Sequence, residues 1–93
     1  MKSEENYSKL EIKIWRNIPD DGTRISTIEL ANRIYANATN KPRYPRQSIL
    51  ACTDKLIAKT DHYEEELEIF KSKPRGSQPI YFWKEKRKHN NTV

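Results

Sequence analysis

Ninety-three residues, 34% of them hydrophobic and 10% aromatic, provide for one small domain with little core to spare, and a chain this polar often completes its core by oligomerising. The net charge of +5 favours a polyanionic partner. No apolar run approaches the roughly 18 residues that span a bilayer, the N-terminus has no signal-peptide core, and the single cysteine has no partner for an intrachain disulfide, so a cytoplasmic protein without a membrane contact is expected.

The charge is unevenly placed. Residues 1 to 40 are balanced, 41 to 60 carry +4, 61 to 66 carry −4, and 67 to 93 carry +5. Residues 1 to 8 read as a flexible N-terminus. Ser8 with Glu11 forms a capping-box signature, and Tyr7 with Ile12 occupies the staple positions, so a first helix should start at Lys9 and stop by Ile18, before the turn Pro19-Asp20-Asp21-Gly22. Leu10, Ile14, Trp15 and Ile18 share one face, and Ile12 lies beyond them. That is more apolar surface than one small core needs, and it marks Tyr7, Ile12 and Trp15 as an expected subunit contact.

A short extended segment, Thr23 to Ile25, precedes Ser26, which caps a second helix with Glu29 three residues on. Ile28, Leu30, Ala31, Ile34 and Tyr35 should face inward, and the pattern breaks near Asn37. The loop NKPRYPRQ is basic and bracketed by prolines. Pro45 suits a first helical turn, so a third helix should run from Pro45 or Arg46 to about Lys59. Its buried stripe is Ile49, Leu50, Cys52, Thr53, Leu56 and Ile57.

The opposite side of this helix carries the residues that suggest function. Gln47 is able to form paired hydrogen bonds with adenine, Ser48 bonds several bases, and Ala51 is small enough to let the helix approach base edges. Lys41, Arg43, Tyr44, Arg46 and Lys55 are placed for phosphates around it. Two helices joined by a polar connection, the second offering a polar face, form a helix-turn-helix arrangement. A solvated helix face with ordinary lysines is the alternative.

The acidic run Asp61 to Glu66 reads as a solvated loop. Leu67 to Lys71 and Ile80 to Lys84 alternate as strands, and between them a basic tip holds Lys73, Arg75 and Gly76. A hairpin after the reading helix is a wing. Leu67, Ile69, Ile80 and Phe82 should face the core, leaving Phe70, Tyr81 and Trp83 outside. The expected fold is therefore α+β, a winged helix-turn-helix domain over residues 9 to 84, with three helices, a C-terminal two-stranded wing and a homodimeric assembly. Residues 85 to 93 form a basic polar tail.

An enzyme is not expected, since two glycines cannot build a phosphate-cradling loop and no nucleophile, base and orienting group are plausibly spaced. His62 and His89 stand far apart with a single cysteine, so neither a metal site nor a cofactor is expected.

The segments ELANRIYA, KPRYPRQS, ILACTDKLIAK and KPRGSQPIYFWKEK resemble the PadR type of winged-helix regulator over roughly residues 9 to 86. The family's Gly-Thr and Tyr-Pro steps in the recognition helix and its long C-terminal dimerisation helix are absent from the sequence. The small size and the Ile/Lys/Asn/Tyr-rich composition are also similar to the winged-helix proteins of archaeal plasmids and viruses, among them the AspA-type plasmid-partition proteins, which bind centromere sites. That resemblance implies a dimer on palindromic double-stranded DNA that spreads outward and meets a partition adaptor protein. A repressor without an effector domain would use the same contacts, and a winged-helix protein-interaction module is the alternative of another class.

Overall fold

The computed structural model describes residues 4 to 87, so the last six residues of the basic tail and the first three of the N-terminus lie outside the described residues. After a 3₁₀ turn at Glu4–Asn6, three α-helices follow, α1 Lys9–Asn17, α2 Thr27–Tyr35 and α3 Pro45–His62. Three strands, β1 Ile25–Ser26, β2 Leu67–Lys71 and β3 Tyr81–Lys86, form an antiparallel sheet in the order β1-β3-β2. This is an α+β winged helix-turn-helix architecture, with the wing as the β2-β3 hairpin.

Local chemistry fixes the helix starts. The Ser8 hydroxyl accepts from the Glu11 N–H at 3.1 Å while the Glu11 carboxylate accepts from the Ser8 N–H at 2.8 Å, a complete capping box. At α2 the Ser26 hydroxyl accepts from the Glu29 N–H at 3.1 Å. Ile14, Ile18, Ile25, Leu30, Ile49, Leu56, Ile69 and Phe82 then close a core shared by all three helices and the inner sheet face.

Five expectations need correction. The extended segment before α2 is shorter than expected, Ile25–Ser26 in place of Thr23 to Ile25, and pairs with β3, Ile25 against Phe82 and Ser26 against Tyr81, so the wing has a third strand at its base. That pairing, with the Thr27 N–H and hydroxyl both donating to the Ile80 carbonyl, fixes the rotation of α2 so that Thr27 faces the sheet and Ile28 is left 48% exposed. Helix α3 continues three residues past Lys59. The Arg87 guanidinium holds its end, donating to the carbonyls of Thr60 and Glu65 at 3.1 and 2.9 Å and to the Asp61 carboxylate at 3.0 Å.

The acidic run is consequently not a simple solvated loop. Asp61 is the partner of Arg87, and Glu65 is buried and accepts a hydrogen bond from the Tyr7 hydroxyl at 3.2 Å. Finally, Tyr7 and Trp15 are buried within the chain's own core, and Ile12 is partly covered by it. The surplus apolar surface that suggested a subunit contact at these residues is largely absorbed inside the chain.

On the sheet, Ile69 and Phe82 face the core, and so does Lys84, whose side chain is 1% exposed. Its ammonium donates to the Trp15 carbonyl at 2.7 Å and to the Asp20 carboxylate at 2.6 Å, and lies 4.0 Å from the Trp15 ring centre. Phe70 and Trp83 stack on the outer face, 5.9 Å between ring centres and 14° apart, with the Arg24 guanidinium 4.2 Å from the Trp83 ring.

Candidate nucleic-acid interface

Helix α3 begins differently from the other two. Pro45 occupies its first turn, its N-cap Tyr44 accepts no side-chain hydrogen bond, and no acidic residue stands in the first turn. The positive end of the helix dipole and its leading N–H groups are therefore left without an acidic or hydroxyl partner, which favours an anion there. Tyr44 itself is 58% exposed, with the Arg43 guanidinium 5.6 Å from its ring centre.

Burial of Ile49, Thr53, Leu56 and Thr60 turns the other side of α3 to solvent. Gln47, Ala51, Asp54, Lys55 and Ala58 are exposed there. Ser48 is half-buried at the flank nearest α1, so of the three expected base-reading residues Gln47 and Ala51 share the open face and Ser48 borders it. Lys41, Arg43 and Arg46 are exposed at the head of the helix.

The wing tip carries Lys73, Arg75 and Gly76, all exposed. Gly76 has φ +62°, and a Cβ there would meet nothing within 4 Å, so the backbone conformation and not space calls for glycine. The Gln78 carboxamide accepts from the Arg75 N–H at 3.2 Å, and the Ser72 hydroxyl accepts from the Tyr81 N–H at 2.8 Å, closing the hairpin. The second half of the wing loop returns to α3. A groove of about 530 Å³ is walled by Arg46, Gln47 and Leu50 on one side and by Ser77, Gln78 and Pro79 on the other, with Ile28 at its edge.

Ion pairing separates the cations. Among the described residues, Arg16, Arg33, Lys59, Lys71, Lys84 and Arg87 have carboxylate partners, whereas no ion pair involves Lys41, Arg43, Arg46, Lys55, Lys73 or Arg75. Sequence reasoning missed Asp54, which shares the exposed face of α3 and pairs with Lys71 of β2 at 3.2 Å. A helical wheel reveals the first; the second needs the strand register. It also missed Lys9 and Lys13, one helical turn apart on α1, which line a groove with Lys41 and Ser48.

Behind α3, Glu11 is buried and accepts from Lys59 at 2.7 Å. Burial pushes its carboxyl up, but the bonds from Lys59 and Ser8 outweigh it and hold the group below its ordinary value. Burial likewise pushes the Cys52 thiol up, which keeps it protonated and a poor nucleophile. Among the described residues no cluster of His, Cys, Asp or Glu is placed to hold a metal ion, and no helix is long and apolar enough to cross a membrane. Comparison of the chain with protein-family models, curated proteins and solved structures finds no match.

Proposed function

We propose that the chain binds double-stranded DNA, with the head of α3 entering a major groove and the β2-β3 wing resting on the adjoining backbone or minor groove. The observation that supports this reading is that, of the described cations without carboxylate partners, Lys41, Arg43, Arg46, Lys55, Lys73 and Arg75 lie on the loop before α3, on α3 itself and on the wing tip, while Lys9, Lys13, Arg24 and Lys86 lie on other segments. Charges that served only solubility need not converge on the loop, helix and wing that would meet one duplex. Gln47 and Ala51 read base edges, and the cations with Tyr44 hold phosphates.

Footprinting against DNA flanking the coding sequence tests the reading, followed by two variants on any site found. Gln47→Ala should cost about 1 to 3 kcal/mol on the preferred site and relax specificity. Arg75→Ala should weaken binding to all sequences and lower the salt slope by about one unit. A wild-type protein that protects no sequence and binds duplex without salt dependence would overturn it.

Two finer proposals rest on the likeness to small plasmid-partition proteins. The first is a homodimer on a palindromic site with half-sites about one helical turn apart. Sedimentation at tens of micromolar tests it, and a protein that stays monomeric at that concentration would remove the homodimer. The second is a centromere-site role in which bound dimers spread outward and meet an adaptor protein. Protection that widens with protein concentration supports spreading, whereas a footprint fixed well above saturation favours simple repression.

A further inference from the structure

We infer that Lys9 and Lys13 of α1, together with Lys41, form a second phosphate-binding edge, which holds the DNA strand on the side of α3 away from the wing. This rests on the DNA-binding reading above and extends it to a helix outside the helix-turn-helix unit and the wing.

The head of α3 has a groove on each flank. Arg46 and Gln47 line the one shared with the wing. Ser48, the next residue round the helix, lines the other, whose rim is Lys9, Lys13 and Lys41 and whose floor includes Leu10 and Tyr35. No carboxylate lines either groove. Lys9, Lys13 and Lys41 are exposed, and none is in an ion pair among the described residues. The neighbouring cations are engaged, Arg16 of the same helix with Glu4 at 3.1 Å and Lys59 with Glu11 at 2.7 Å. Three unpaired ammonium groups around one groove repel one another, and a polyanion relieves that repulsion.

The size of the duplex supplies the rest. A major groove is about 12 Å wide, and an α-helix with its side chains is about 10 to 12 Å across, so a helix lying in it has one phosphate strand along each flank. If Arg46 and the wing hold one strand, the other passes the Ser48 flank, where the three lysines stand. Phosphate contacts of this kind set register and orientation without reading sequence.

The test is the double variant Lys9→Ala, Lys13→Ala, compared with Gln47→Ala on the preferred and a scrambled duplex across a salt series. Alanine is favoured in a helix, and circular dichroism with a melting curve checks that α1 is retained. The double variant should bind both duplexes more weakly by the same factor, with the log-log salt slope reduced by about 1.8. Hydroxyl-radical footprints should lose protection on one strand only, the strand opposite to the one that Arg75→Ala exposes.

If the double variant keeps wild-type affinity and slope while Gln47→Ala loses the preferred site, the second edge is overturned and DNA binding stands. If the slope is unchanged but the variant sediments as a smaller species, the groove is a subunit contact and the inference fails. If wild type itself shows no salt-dependent duplex binding, the underlying reading has failed.

Discussion

Replacing Lys59 by Met should expose how much the buried charge of Glu11 depends on one partner. The Glu11 side chain is 3% exposed and Lys59 is 38% exposed. One carboxylate oxygen, Oε1, takes both the Lys59 ammonium and the Ser8 N–H, while Oε2 is buried with no hydrogen-bond partner. Removing one member of a buried pair typically costs about 3 to 5 kcal/mol. Lys59 is partly solvated, which screens the pair and places Lys59→Met nearer about 2 to 3 kcal/mol. A chain this long is expected to have a total stability of about 5 to 14 kcal/mol, so the melting temperature should drop by about 10 to 20 °C. Glu11→Gln removes the buried charge itself and should cost only about 1 kcal/mol. The pH dependence separates this mechanism from lost packing. In the wild type the Glu11 carboxyl is held below its ordinary value, so its contribution is present above that value and is lost as pH falls through the folded one. Without Lys59, burial dominates and the carboxyl rises, so the penalty of Lys59→Met should shrink as pH is lowered from 7 towards 4. Urea unfolding at several pH values measures both effects. A penalty under about 1 kcal/mol at pH 7, or one that stays constant down to pH 4, would refute the assignment of the pair as the source of the stability.

Asp20→Ala leaves the Lys84 ammonium buried with the Trp15 carbonyl and ring as its remaining partners, so it should destabilise more than Lys84→Met, which removes the charge and returns Asp20 to water; thermal melts that rank them the other way would contradict this. Tyr7 is pushed up to about 12 by burial and by the Glu65 carboxylate, so its contribution is complete below pH 10 and is lost as pH rises towards 12; absorbance titration should find late-ionising tyrosines, Tyr35 among them because burial raises it too, and Tyr7→Phe should remove the Tyr7 share of that step. Lys84 has the opposite sign, because burial lowers its value and stability rises with pH towards the ordinary lysine range; comparison with Lys84→Met isolates that term. Arg87→Met should cost about 1 to 3 kcal/mol and raise amide exchange at Thr60 to Glu65, and unchanged protection there would remove Arg87 as the clamp on the end of α3.

What was legible in the sequence was local. The capping signals at Ser8 and Ser26 are hydrogen bonds between residues three apart, and Pro45 fixes the α3 start through its own ring. What was not legible depends on partners far along the chain. The last turn of α3 is held by Arg87, about 25 residues later, and Ile28 is turned outward by the pairing of Ser26 and Thr27 with residues 80 and 81. Lys84 is an intermediate case. Alternation from Ile80 and Phe82 places it on the inner face, but a lysine is rarely buried without a partner, and Asp20 and the Trp15 carbonyl become neighbours only in the fold. At the candidate interface, the basic positions were legible as charges, whereas their division into paired and unpaired groups was not, because it requires the tertiary contacts of Lys59 and Lys71.

Asp54 gives the interface an edge that can be measured. It lies on the exposed side of α3 beyond Ala51, and among the described residues its charge partner is Lys71 of β2, at 3.2 Å and in solvent. An exposed pair of this kind contributes little to stability, so Asp54→Ala should leave the melting curve nearly unchanged. Its effect on DNA should be larger. A carboxylate about 4 to 8 Å from a phosphate repels it by about 0.5 to 1 kcal/mol in water-like surroundings, and its removal also frees the Lys71 ammonium to face the duplex. Asp54→Ala should therefore bind all duplexes about two- to fivefold more tightly at about 0.15 M salt, with a salt slope steeper by up to about one unit. The ratio between preferred and scrambled sites should fall, because the added attraction is blind to sequence while Gln47 is unchanged. If affinity and slope match wild type, the duplex ends short of the third turn of α3, and base reading is confined to its first two turns at Gln47 and Ala51. If binding weakens, Asp54 accepts from a base or orients Lys71 for a contact, and the open face of α3 extends further along the helix than its unpaired cations indicate.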